Sequence, residues 1–185
     1  MHESRVASRY AKSLIDFAIE KGILEEVKKD MAFFGDLCEK NHELVRVLKN
    51  PIIKSDKKKQ ILHILLKGRV NDVTLKFFDI VSGKGREKFL FHTSKEFLSQ
   101  YRNYKGIVKA QVVSAYPITE DQRKSFVKIV SDITGKKVEL SEVINENIIG
   151  GFNLTIGDRQ IDETIKSKLQ KLKSNFSYNP YLAKI

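Results

Sequence analysis

Ile149-Gly150-Gly151-Phe152-Asn153-Leu154-Thr155-Ile156-Gly157-Asp158, running on into Ile161-Asp162-Glu163-Thr164-Ile165, is the stretch on which the reading of this chain turns. Phe152, Leu154 and Ile156 alternate with polar neighbours, the period of a half-buried strand. Gly150 and Gly151 open that strand, and Gly157-Asp158 closes it with residues that tolerate the positive φ of a tight turn. A helix follows: Asp162 can cap it, and Ile165, Leu169 and Leu172 recur on one face. The strand is expected to pack on that helix, with the glycines allowing the backbone to approach or bend where a β-carbon would clash.

Upstream of this stretch the same alternation starts at Gly106. Ile107 to Tyr116 reads as a strand stopped by Pro117, Thr119 and Gln122 form a capping box for a helix carrying Phe126, Ile129, Val130 and Ile133, and Gly135 ends it. Val138 and Leu140 mark another strand. Before Gly106 the period is helical throughout. Val6, Tyr10, Leu14 and Phe17 form one face of a first helix; Leu24, Val27, Met31, Phe34 and Cys38 form a second. A short third holds Leu44, Val45 and Leu48 and ends at Asn50-Pro51. Ser55 or Asp56 can cap a fourth, Asn71-Asp72 opens a fifth that ends at Gly83, and a sixth runs from Arg86 to Tyr101. The fold class is therefore α+β in two domains: a six-helix bundle over residues 1–105, then a small α/β domain over 106–173 ordered strand-helix-strand-strand-helix. Residues 174–185 read as an irregular tail.

The net charge is +11, and residues 1–105 carry most of it, with 22 Lys and Arg against 14 Asp and Glu. Such an excess favours acidic partners, whether nucleic acid, anionic lipid or protein. A basic nucleic-acid-binding module is the alternative reading on charge alone, although no aromatic residues interleave with Lys57-Lys58-Lys59 to stack bases. That lysine run falls in the first turn of the fourth helix and reads as a solvated face. No apolar run approaches the roughly 20 residues of a membrane span, and Met1-His2-Glu3-Ser4-Arg5 lacks a signal-peptide core, so a cytosolic-side protein is expected. Cys38 is the single cysteine and reads as a small apolar helix residue.

Candidate chemistry is sparse. His2, His42, His63 and His92 are scattered without zinc-ligand spacing, and no Gly-x-x-x-x-Gly-Lys-Ser/Thr loop is present. Gly83-Lys84-Gly85-Arg86 follows a helix rather than a strand and reads as a turn. Asp158 and Asp162 sit where Asp ordinarily serves backbone hydrogen bonds. Neither catalysis nor a metal or cofactor is expected. The stronger signal is excess apolar surface. Val6, Tyr10, Leu14 and Phe17, with their apolar neighbours, cover more than one stripe of the first helix, and Leu75, Phe77, Phe78, Ile80 and Val81 do the same on the fifth. These two helices are either the central pair of the bundle or the walls of a groove that accepts another helix, to which Tyr10, Ser13, Phe17, Phe77 and Ile80 would contribute.

Ile-Gly-Gly-Phe, a short strand ending in Ile-Gly-Asp, then Ile-Asp-x-Thr and a Leu-x-x-Leu helix resemble the C-terminal signature of the δ subunits of F-type ATP synthases, the family of the mitochondrial oligomycin-sensitivity-conferring protein. Arg9-Tyr10-Ala11-Lys12-Ser13-Leu14 with Phe17-Ala18 is similar to the family's opening helix, Gly85-Arg86 to the start of its sixth, and Ser114-Ala115-Tyr116-Pro117 to the end of its first C-terminal strand. Thr164 stands where the family usually has Ser. The resemblance covers about residues 4–173 and implies a non-catalytic peripheral-stalk subunit of a multi-subunit assembly. Its N-terminal domain would take the N-terminal helix of an α subunit in the groove between the first and fifth helices. Its C-terminal domain would hold the ends of the b subunit dimer. On that view Gly150, Gly151, Gly157, Asp158 and Asp162 are architectural. The protein would then lie at the cytoplasmic face of a bacterial inner membrane, attached to it only indirectly.

Overall fold

A computed structural model describes residues 2–177, with side chains from Arg5 to Phe176. Among the described residues, eight α-helices and one four-stranded sheet divide between two compact units that meet in sequence at Lys105 and Gly106. Each unit has its own core.

The first unit contains α1 (His2–Glu20), α2 (Leu24–Lys40), α3 (His42–Lys49), α4 (Ser55–Leu66), α5 (Asp72–Gly83), a 3-10 turn (Glu87–Phe89) and α6 (Leu90–Tyr104). The sixth helix thus starts four residues after Arg86, behind the tighter turn. Val27, Met31, Phe34 and Cys38 of α2 are all fully buried, as their spacing requires, and burial pushes the Cys38 thiol up to about 12. Phe34 stacks obliquely on Phe78 of α5 at 4.8 Å between ring centroids. Asn71 caps α5 by accepting from Val73 N at 2.9 Å.

Three expectations fail here, two of them because burial depends on a remote neighbour. On α1 the core face is Ala7, Ala11, Leu14 and Ala18 rather than Val6, Tyr10, Leu14 and Phe17. Three alanines on one stripe leave room for α6 to lie close against α1, a gain in dispersion contact that hydrophobicity alone underrates. On α4 neither Ser55 nor Asp56 caps; Lys54 holds that position without a side-chain bond. The lysine run is solvated only in part: Lys57 is exposed, but Lys58 is buried and donates from Nζ to the Leu48 carbonyl at 2.9 Å, satisfying an orphan oxygen of the last turn of α3.

The second unit contains β1 (Ile107–Ser114), α7 (Glu120–Thr134), β2 (Lys137–Ile144), β3 (Phe152–Ile156), β4 (Arg159–Asp162) and α8 (Ile165–Ser177). The sheet order is β2-β1-β3-β4, with β1 and β2 parallel across the α7 crossover and the other pairs antiparallel. The Thr119–Gln122 capping box starts α7, and Gly135 at φ +65° ends it. Ala110, Val112, Leu154 and Ile156 pack on Phe126 and Val130 of α7, and Phe152 meets Phe126 edge-on at 4.8 Å.

Four readings change here. Gly157-Asp158 is the turn of a hairpin, so a further strand, β4, intervenes where the sequence suggested direct entry to the helix. Asp162 ends β4, and it is Thr164 whose Oγ1 accepts from Ser167 N at 3.3 Å to cap α8. The strand carrying Phe152, Leu154 and Ile156 packs on α7, while Ile165, Leu169 and Leu172 of α8 stay 43%, 58% and 51% exposed. Residues 174–177 continue α8 rather than forming a tail; the rest of that expected tail, 178–185, lies outside the described residues.

Candidate functional site

α1 and α5 wall an open apolar groove of about 420 Å³, lined by Ser13, Leu14 and Phe17 from one helix and Val73, Lys76, Phe77 and Ile80 from the other. Tyr10 lies outside that lining, with its ring edge-on to Phe77 at 6.3 Å between centroids. The groove exists because α1 has two faces. Its alanine stripe is fixed in the core, and Tyr10, Ser13 and Phe17 fall about 110° further round the helix at 3.6 residues per turn. On α5 the division is similar: Phe78 and Val81 are buried, whereas Ile80 on the other side is 58% exposed. Phe17 is 41% exposed, with the Lys21 ammonium 5.7 Å above its ring.

The structure therefore brings Ser13, Phe17, Phe77 and Ile80 to one concave surface, whereas Tyr10 lines the neighbouring pocket and touches the groove only through Phe77. Sequence reasoning missed Val73 and Lys76, one turn from Phe77 and Ile80, which helical spacing could have found. Leu14, counted in the sequence among the surplus apolar residues of α1, is buried and also lines the groove.

The glycine signature lies elsewhere, under the start of α8. Gly151 has φ +82°, and a β-carbon there would fall on the Glu163 carbonyl oxygen and lie 2.9 Å from Thr164 Cα. One residue earlier, a β-carbon on Gly150 would lie 2.7 Å from Ile165 Cδ1, and the Gly150 carbonyl accepts from Ile165 N at 3.0 Å. Gly157 makes the hairpin turn at φ +56°, with Asp158 beside it at an ordinary φ. Asp162 accepts from Ser167 Oγ at 2.6 Å and Thr164 N at 2.9 Å; these bonds, the hydroxyl first, hold its carboxyl down at about 2. Gly150, Gly151 and Asp162 thus meet at the junction of β4 and α8, while Gly157 and Asp158 shape the β3–β4 turn.

Among the described residues no group of three or more His, Cys, Asp or Glu is placed to hold a metal ion, and no helix is long and apolar enough to cross a membrane. The fold is that of a two-unit α+β protein: a helical unit with an open apolar groove and a small α/β unit whose terminal helix is largely exposed. A model of the family described as ATP synthase delta (OSCP) subunit matches residues 6–176. ATP synthase subunit delta of Cytophaga hutchinsonii is 47% identical over 177 residues, covering 96% of this chain and 97% of that one. The subunit delta of Amoebophilus asiaticus is 38% identical over 178 residues, with 96% and 97% covered. A chain of the Toxoplasma gondii mitochondrial ATP synthase hexamer shares the fold at TM-score 0.70 and 20% identity, with 94% of this chain and 98% of that one aligned. The chain belongs to the ATP synthase delta (OSCP) subunit family and is a peripheral-stalk component of F-type ATP synthase.

Proposed function

We propose that this subunit is a non-catalytic stator link with two partner sites. The N-terminal unit, residues 1–105, acts as a six-helix bundle that grips the catalytic head by taking the N-terminal helix of an α subunit into the α1–α5 groove. The C-terminal unit grips the ends of the b subunits, so that the head resists the torque of the rotating central stalk. On this reading the protein sits at the cytoplasmic face of a bacterial inner membrane, attached through its partners, and performs no reaction of its own. The observation that carries the proposal is the groove: a preformed apolar slot of about 420 Å³ on a chain of this family is the shape that accepts an amphipathic helix.

Each fully desolvated anchor in such a slot contributes roughly 1.5–3 kcal/mol. Ile80→Asp and Phe17→Asp should each weaken binding of an α-subunit N-terminal peptide to the full chain by about thirtyfold or more in calorimetry. Thermal unfolding should barely change, since both side chains are already exposed. Unaltered binding by both variants would place the peptide elsewhere.

A further inference from the structure

Beside the apolar groove, and sharing Ser13 with it, lies a second pocket of about 210 Å³ lined by Val6, Arg9, Tyr10, Ser13 and Arg86. Arg86 donates from Nη1 to the Tyr10 hydroxyl at 2.8 Å, and its guanidinium carbon stands 6.0 Å from the centre of the Tyr10 ring. Tyr10 links the two pockets: its ring meets Phe77, a lining residue of the groove, and its hydroxyl turns toward Arg86 in the second pocket. Because that hydroxyl accepts from Arg86, its own proton is available to a further acceptor. Both Arg9 and Arg86 are exposed, and among the described residues neither forms a salt bridge.

We propose that this pocket is a carboxylate socket, in which Arg9, Arg86 and the Tyr10 hydroxyl receive one acidic side chain of the helix docked in the groove. The proposal rests on the groove reading and specifies what its occupant must carry. Two guanidiniums and a phenol O–H offer donors and no acceptor beyond the one already used, which suits a carboxylate. The socket also answers a problem that the groove alone leaves open. An apolar stripe repeats every three to four residues, so a helix in an apolar slot can slip by a turn at small cost. A charged anchor at one end selects a single register. Tyr10 precedes Phe17 by seven residues, about 10 Å along α1 at 1.5 Å per residue. The acidic residue of the partner should accordingly lie about two turns from the apolar side chain that covers Phe17.

The probe is a synthetic peptide of the first roughly 25 residues of the same organism's α subunit, together with a set in which each Asp or Glu is singly replaced by its amide. Calorimetry with the full chain at low salt should show Arg86→Gln weakening the parent peptide about tenfold, and Arg9→Gln and Tyr10→Phe weakening it several-fold. One amide peptide should lose as much against the wild-type chain and lose nothing more against Arg86→Gln, which identifies its carboxylate as the one in the socket. If Arg86→Gln and Arg9→Gln both bind like wild type while Ile80→Asp does not, the socket is wrong and the groove stands. A loss on Arg86→Gln that couples to no carboxylate also overturns the socket. Should Ile80→Asp bind normally, or the wild-type chain not bind at all, groove and socket fall together.

Discussion

α1 and α8 are both amphipathic helices with more apolar surface than their own unit covers, yet the fold treats them differently. α1 is pinned along its length by Ala7, Ala11, Leu14 and Ala18, so its second face stands as the wall of a formed slot. α8 is held at its first turn only, by the Thr164 cap, the Asp162–Ser167 bond and the backbone contact with Gly150, and every residue from Lys168 to Phe176 is exposed. A partner of α1 meets a surface whose ordering cost was met in folding, whereas a partner of α8 must supply the second wall itself. The difference lies in how the helix is anchored, since both carry an apolar stripe.

The hardest way to break this comparison is to strike the anchor of α8. Gly151→Val forces a β-branched residue to φ +82° and puts its β-carbon on the Glu163–Thr164 backbone, which cannot yield as a side chain would. A loss on the order of 3 kcal/mol in the second unit is expected, seen as an earlier melting transition, while binding of the α-subunit peptide by the first unit persists. A single unchanged transition would mean that α8 does not depend on that approach.

Next comes the alanine face of α1. Ala11→Leu adds bulk where no exposure remains, and overpacking there should cost about 1–3 kcal/mol and weaken peptide binding by shifting the groove wall. If stability falls and binding does not, the groove is set by α5 alone.

Titration sharpens the contrast at the first turn of α8. Asp162 is held at about 2, below the ordinary carboxylate value near 3.9, so its contribution is complete above about pH 5 and lost as pH falls through 4 toward 2. Acid melts of the wild type and Asp162→Asn should diverge above pH 4 and converge near pH 2. Curves that stay parallel over that range would remove Asp162 from the anchor.

The smallest expected change is the most direct statement of the comparison. Leu169→Asp on α8 should alter stability by no more than about 0.5 kcal/mol, because that side chain already faces solvent. A melt lowered by several degrees would show that α8 packs on its own unit after all.

Much of this was legible in the chain, and what was legible shares a property. The Thr119–Gln122 box, the Asn71 cap and the left-handed Gly135 are signals completed within four residues, and all three operate as read. The buried run Val27, Met31, Phe34 and Cys38 was likewise visible in its spacing. Of the groove, Phe17, Phe77 and Ile80 were visible as surplus apolar surface, but surplus does not distinguish a central helix from a slot.

From the chain alone came the order of the eight helices and the first three strands, several of their ends, and the membership of a family whose motifs run through Arg9-Tyr10-Ala11 and Ile149-Gly150-Gly151. Tertiary structure alone decided which stripe of α1 faces inward, that Lys58 is spent on a carbonyl of another helix, that β3 packs on α7, and that Arg86 meets Tyr10 across 76 positions of chain. The physical reason is range. A cap or a turn is an equilibrium among adjacent residues, whereas burial is decided by whichever distant surface comes to lie on a side chain, and nothing in a residue's own neighbourhood specifies that surface.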